Sequence, residues 1–79
     1  MPVVFRTGRY RFFFFSNEGT EPRHIHVESG GKYAKFWLDW VELAEQRGYN
    51  APELKRIRKL VERNRALLRR RWNEFFGSI

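Results

Sequence analysis

Residues 24–38, HIHVESGGKYAKFWL, place two segments of alternating character on either side of a pair of glycines. Adjacent glycines tolerate the positive φ angles that a two-residue hairpin turn requires. We therefore predict a β-hairpin with strands over residues 24–29 and 32–38. With Gly30 and Gly31 as the loop, the paired positions are 24 with 37, 25 with 36, 26 with 35, 27 with 34, 28 with 33 and 29 with 32.

This register sorts the hairpin side chains onto two faces, because successive residues of a strand point to opposite sides. The apolar set is predicted to face the core: Ile25, Val27, Ala34, Phe36 and Leu38. The polar and aromatic set shares the other face: His24, His26, Glu28, Tyr33, Lys35 and Trp37.

A second hairpin is predicted upstream. Residues 3–6 and 10–15 are rich in β-branched and aromatic residues and are joined by a short link that contains Gly8. If Phe12 and Phe14 face inward, Phe13 and Phe15 point outward, where they would serve a homodimer or a heteromer.

Helix signals follow the hairpins. Asp39 as N-cap and Glu42 at the capping-box position predict a short helix over residues 40–47, and an edge strand is the alternative because Val41 and Leu43 alternate. Asn50 is a stronger N-cap for a long helix over residues 51–75, which Gly77 would close.

The long helix is amphipathic. Its apolar side is predicted to hold Leu54, Ile57, Leu60, Val61, Leu67, Leu68, Trp72 and Phe75, and its basic arc Lys55, Arg58, Lys59, Arg63, Arg65, Arg69 and Arg70. We expect a single domain over residues 1–79, of the α+β class. A small antiparallel sheet of about four strands, in two hairpins, would pack under this one helix.

Charge is unevenly distributed along the chain. The net charge is +7, and residues 51–79 carry nine Lys and Arg against three Asp and Glu. An excess of this kind predicts an acidic partner: RNA or DNA, a membrane surface or an acidic protein. Cysteine is absent and the longest apolar run is far too short to span a bilayer, so we expect a cytoplasmic protein. Contact with a membrane surface is not expected, because the apolar side of the long helix is needed to cover the sheet.

The two histidines admit three functional hypotheses besides a purely structural role in shaping the loop after Pro22. As a binding surface, His24, His26 and Lys35 would hold phosphates, with Arg23, Tyr33 and Trp37 as further contacts. As catalysts, His24 and His26 would act as acid and base in a metal-independent ribonuclease, with Lys35 beside them.

The third hypothesis is a metal site of His24, His26 and Glu28, since histidines two apart on a strand point the same way. Lys35 opposite His26 disfavours a second cation there, so we expect no metal or other cofactor. On the helix, Arg63, Arg69 and Arg70 are the predicted contacts for nucleic acid or an acidic partner, and a solubilising surface is the alternative.

Five segments occur in an order that resembles a known family: FRTGRYRFFFFSNE, PRHIHV, AKFWLD, VELAEQRGY and WNEFF. The chain is similar to small prokaryotic proteins grouped as a domain of unknown function with a Pro-x-His-x-His-Val signature, which falls on Pro22, His24, His26 and Val27. The resemblance implies a component of a toxin–antitoxin pair. We therefore expect a small basic binding module with a protein partner, antitoxin-like or a second copy of itself.

Overall fold

The computed structural model describes residues 3–15 and 19–77, and it confirms an α+β fold. One antiparallel sheet has the strand order β1-β2-β3-β4-β5, so strands that are neighbours in the sequence are neighbours in the sheet. The strands are β1 (Val3–Thr7), β2 (Tyr10–Phe13), β3 (His24–Ser29), β4 (Lys32–Trp37) and β5 (Glu42–Arg47). Two helices follow, α1 (Ala51–Arg63) and α2 (Arg65–Phe76).

The central hairpin, β3 and β4, has the predicted register at all six pairs, from 24 with 37 to 29 with 32. Gly30 and Gly31 form its turn with φ angles of 53° and 77°. Other residues adopt such angles only at a steric cost, which is why the glycine pair fixes the turn and with it the register.

The core lies between the helices and one face of the sheet. The predicted inward residues of the hairpin are all buried, and Phe12 and Phe14 join them from β2 and the residues after it. The helices contribute Ile57, Val61, Leu68 and Trp72. Phe75, which was predicted for the apolar side of the helix, is 42% exposed, and Phe76 packs on the core in its place.

The sheet has five strands where about four were expected, and the short helix predicted over residues 40–47 is wrong. This segment forms β5, the edge strand that was the alternative, and pairs with β4 along its length. Asp39 is not available as an N-cap because its carboxylate contacts Arg23 and Arg69. Pairing also covers the open edge of β4, which a short helix would leave exposed. β2 ends at Phe13, two residues before its predicted end at residue 15.

The single long helix predicted over residues 51–75 is divided at Asn64. The backbone of Asn64 departs from helical geometry, with φ −105° and ψ 14°, and its side chain donates a hydrogen bond of 2.8 Å to the carbonyl of Leu60. Both predicted ends are confirmed. Asn50 caps the backbone N–H of Glu53 at 2.9 Å, and Gly77 ends α2 in the left-handed conformation.

Polar groups are also buried on the helix side of the sheet. The hydroxyl of Tyr10 donates a hydrogen bond of 2.9 Å to Glu53, which keeps the pKa of that carboxyl below its ordinary value of 4.5, with help from Lys32. Burial raises the pKa of Tyr49, whose hydroxyl shares a hydrogen bond of 2.9 Å with Ser29.

Within the described part of the chain, neither helix is long and apolar enough to cross a membrane.

Candidate functional site

The face of the sheet opposite α1 carries both histidines, and we call it the outer face. Its side chains come from alternate positions of four strands: Arg11, Phe13, His24, His26, Glu28, Tyr33, Lys35, Trp37, Glu42, Glu45 and Arg47. Although this face lies away from the core, His24 is 0% exposed and His26 is 2% exposed. Aromatic rings, rather than solvent, surround the two imidazoles.

His26 lies between two rings on the outer face. Its imidazole stacks on Phe13 at 5.4 Å and on Tyr33 at 5.7 Å between ring centroids, and Phe15 approaches edge-on at 4.6 Å. The Nδ1 atom of His26 and the hydroxyl of Tyr33 share a hydrogen bond of 2.7 Å. These contacts hold the ring in one orientation.

His24 contacts the last helix and the loop before β3. Its Nδ1 donates a hydrogen bond of 2.8 Å to the carbonyl of Pro22, and its ring lies 4.8 Å from that of Trp72 in α2. The two imidazoles are perpendicular, with centroids 5.0 Å apart. This hydrogen bond joins the ring of His24 to the backbone of Pro22, as a structural role in shaping the loop would require.

Lys35 and Arg23, expected as phosphate ligands, are paired with carboxylates. Lys35 Nζ lies 3.0 Å from Glu21 and 4.8 Å from the centre of the Trp37 ring. Arg23 binds Asp39 at 2.9 Å and Asn73 at 3.0 Å. The predicted anion site therefore does not form as one open cluster.

Glu28, the third member of the alternative metal site, forms an ion pair with Arg11, which lies opposite it on β2. In the part of the chain that the structure describes, no three His, Cys, Asp or Glu residues come together as a metal-binding group. His24, His26 and Glu28 are therefore not gathered as a three-ligand group among these residues.

Three arginines of the predicted basic arc hold the turn between β4 and β5. Arg65 donates to the carbonyl of Leu38 at 2.6 Å and also to that of Asp39. Arg58 donates to the carbonyl of Val41 at 3.1 Å, and Arg69 lies 3.5 Å from the Asp39 carboxylate. These cations attach the helices to the sheet, so only part of the basic arc is open to a partner.

The remaining cations of α1 are exposed and form a line, which we call the α1 stripe: Lys55, Lys59 and Arg63, with Arg56 beside them. A spacing of four residues gives a rise of about 6 Å between neighbours on the same side of a helix. None of these four cations forms an ion pair with a carboxylate among residues 3–15 and 19–77. Arg70 of α2 is exposed as well.

A shallow cavity of about 360 Å³ opens on the outer face, lined by Phe15, Glu28, Gly31, Tyr33, Glu45 and Arg47. Arg47 lies over the ring of Tyr33, 5.8 Å from its centre. Glu45 and Arg47 were not among the predicted site residues, because residues 40–47 were assigned to a helix. Strict alternation from Leu43 would have put both residues on the core side, and the bulge at Ala44, which no local pattern signals, brings them to the outer face.

Together these features define a small basic α+β domain with an aromatic outer sheet face and a cationic stripe on its helix side. A family model described as "Domain of unknown function (DUF4160)" matches residues 10–73. The chain therefore belongs to this family of uncharacterised domains. No curated protein and no solved structure gave a match.

Proposed function

We propose that this protein is a nucleic-acid-binding module that contacts the phosphate backbone through the α1 stripe. The observation that supports this proposal concerns Lys55, Lys59 and Arg63. They are exposed and aligned on α1, and none forms an ion pair among the described residues. Cations arranged in a line can contact successive phosphates of a nucleic-acid backbone. Binding then releases the counterions that were condensed on those phosphates. The excess of positive charge in residues 51–79 supports the same conclusion.

The outer face is less suited to phosphate. Its lysine is already paired with Glu21, and its arginines at positions 11 and 47 lie beside Glu28 and over Tyr33 respectively. An incoming phosphate would compete with carboxylates that are in place. We therefore assign the electrostatic contact to α1 and leave to the outer face a structural or protein-contacting role.

Fluorescence anisotropy with a short single-stranded RNA, measured over a series of salt concentrations, tests the proposal. The double variant Lys59→Gln/Arg63→Gln should bind more weakly than wild type. Its plot of log affinity against log salt should be shallower by about 1.4, because two phosphate contacts are lost.

The matched control is Arg6→Gln/Arg9→Gln, which removes two exposed positive charges at the opposite end of the sequence. It should keep the wild-type slope. Equal losses in both variants would mean that overall charge, and not the stripe, drives binding, and an absence of RNA binding by wild type would end the proposal.

We propose further that the module belongs to a two-protein system of the toxin–antitoxin type. This rests on the resemblance that the five sequence segments carry, and on the basic surface, which suits an acidic protein segment as well as RNA. Polyglutamate of similar length to the RNA separates these partners in the same assay. If polyglutamate binds as tightly as RNA, an acidic protein is the better assignment.

The ribonuclease hypothesis stays a prediction, and the burial of both histidines counts against it. A general acid or base must lie within hydrogen-bond reach of the proton that it transfers, whereas the rings of His24 and His26 are enclosed by Phe13, Tyr33 and Trp72. Incubation of labelled RNA with wild type and with His24→Ala/His26→Ala decides it. Cleavage by wild type that the folded double variant lacks would restore the catalytic assignment.

A further inference from the structure

β5 is the last strand of the sheet, and the edge that does not pair with β4 is open. β5 pairs with β4 on one side, and no strand within residues 3–15 and 19–77 pairs with the other. Open edges are commonly protected from self-association by lysine, other charged residues, proline or β-bulges. Glu42–Arg47 lacks lysine and proline but carries three charged residues and a bulge, so a partner strand must match its charges. Nearly all of its residues are exposed.

The side chains of β5 are arranged in a way that suits a copy of the same strand. Its pairing with β4 shifts register between Lys35 and Phe36, so that Ala44 is the extra residue. Glu42, Glu45 and Arg47 consequently lie opposite outer-face residues of β4, whereas Leu43 and Gln46 lie opposite Phe36 and Ala34 of the core side.

We propose that two copies of this chain associate by antiparallel pairing of β5 with β5, around a two-fold axis between Ala44 and Glu45. Glu42 then lies opposite Arg47 of the second copy, and the symmetry repeats this pair at the other end of the strand. Leu43 lies opposite Gln46, so each pair joins side chains of the same face. Opposite charges directly across an antiparallel pair stabilise it, and like charges destabilise it.

This register uses the whole of β5, and a slip loses that agreement. A slip by one residue pairs outer-face with core-side residues. A register that sets Glu42 opposite Glu45 brings like charges together. The self-complementary ends of β5 therefore select both the second copy as partner and the alignment of the two strands.

Analytical ultracentrifugation of wild type and three variants tests the interface, at about 0.15 M salt so that the net positive charges of the two copies are screened beyond about 8 Å. A small interface of this type is weak, so the dimer of wild type is expected to appear as the protein concentration is raised towards about 0.5 mM. Glu42→Arg and Arg47→Glu should each lower the association constant at least tenfold. The double variant Glu42→Arg/Arg47→Glu should restore it to the wild-type value or above, because the charges are exchanged rather than lost.

Glu45→Arg is the control on the same strand, with the same change in charge as Glu42→Arg. It should leave the dimer in place, because Glu45 faces Ala44 of the second copy in the proposed alignment. Circular dichroism shows that each variant is folded, and Arg47→Glu carries the test alone if Glu42→Arg is not. The proposal is overturned by a wild type that stays monomeric, by folded single variants that still dimerise, or by a double variant that does not recover.

Discussion

At the scale of the residue, His26 is a side chain that packs between aromatic rings and makes a polar contact with Tyr33. Its imidazole fills the space between Phe13 and Tyr33, and its Nδ1 bonds the hydroxyl of Tyr33. Histidine suits this position because it offers aromatic faces to two rings and a polar edge to the hydroxyl of one of them. Phenylalanine would keep the first property and lose the second.

A double-mutant cycle at His26 and Tyr33 measures that polar contact. Tyr33→Phe alone should destabilise the fold by about 1 kcal/mol, since a partly buried hydrogen bond is lost. In the His26→Phe background the same change should cost less, because the hydrogen bond between the two side chains is already absent. Urea denaturation of the four proteins gives the coupling. A cost of Tyr33→Phe that is equal in both backgrounds would mean that the two side chains do not act together.

The shared face of the two histidines and their neighbours across the hairpin were predictable from the sequence, because both follow from strand alternation and from one turn. The burial of the histidines was not predictable. Their cover comes partly from Trp72, which is 48 positions beyond His24 in the chain and reaches it only when α2 packs against the sheet. Burial of that kind depends on tertiary packing, which no local pattern reports.

At the scale of the element, local signals succeeded where the backbone conformation itself is restrictive. The glycine pair fixed the central hairpin, and Asn50 and Gly77 marked the two ends of the helical region. Residues 40–47 show the converse. A capping pattern worth about 1 kcal/mol yields to pairing along a whole strand. The helix is divided at Asn64 without a glycine or proline, by a change of backbone conformation that propensity alone does not predict.

Arg65 is the best test of the attachment between α2 and the β4–β5 turn. Arg65→Met should destabilise the fold by about 1–3 kcal/mol, because the carbonyls of Leu38 and Asp39 lose their donor. The matched control is Arg70→Met in the same helix, which removes an exposed cation and should change stability by no more than about 0.5 kcal/mol. Chemical denaturation compares them, and equal effects would mean that Arg65 contributes only its charge.

At the scale of the whole molecule, the positively charged side chains fall into two groups, those that join elements of the fold and those that face solvent. Arg23, Arg58, Arg65 and Arg69 connect separate elements, and all four lie around the β4–β5 turn. The cations of the α1 stripe connect nothing within the described residues and face solvent. A net charge of +7 is therefore not one undivided surface, and neutralising arginines without this distinction would confuse loss of binding with loss of structure.

Lowering the pH should reduce the contribution of Glu53 to the free energy of unfolding. This residue joins α1 to the sheet through Tyr10 and Lys32. Its pKa is lower in the folded chain than its ordinary value of 4.5, chiefly because Tyr10 donates a hydrogen bond to it. The unfolded chain thus binds the proton more readily. Stability from this group is present above the unfolded pKa and is lost as the pH falls through the folded pKa.

Glu53→Gln isolates this contribution, because glutamine retains the shape and one acceptor oxygen but cannot ionise. At about pH 7 the variant should be less stable than wild type, and between about pH 5 and pH 3 the difference should shrink as wild type becomes protonated. Urea denaturation at a series of pH values measures both curves. A difference that stayed constant over this range would show that the ionisation of Glu53 does not contribute to the fold and that only its packing does.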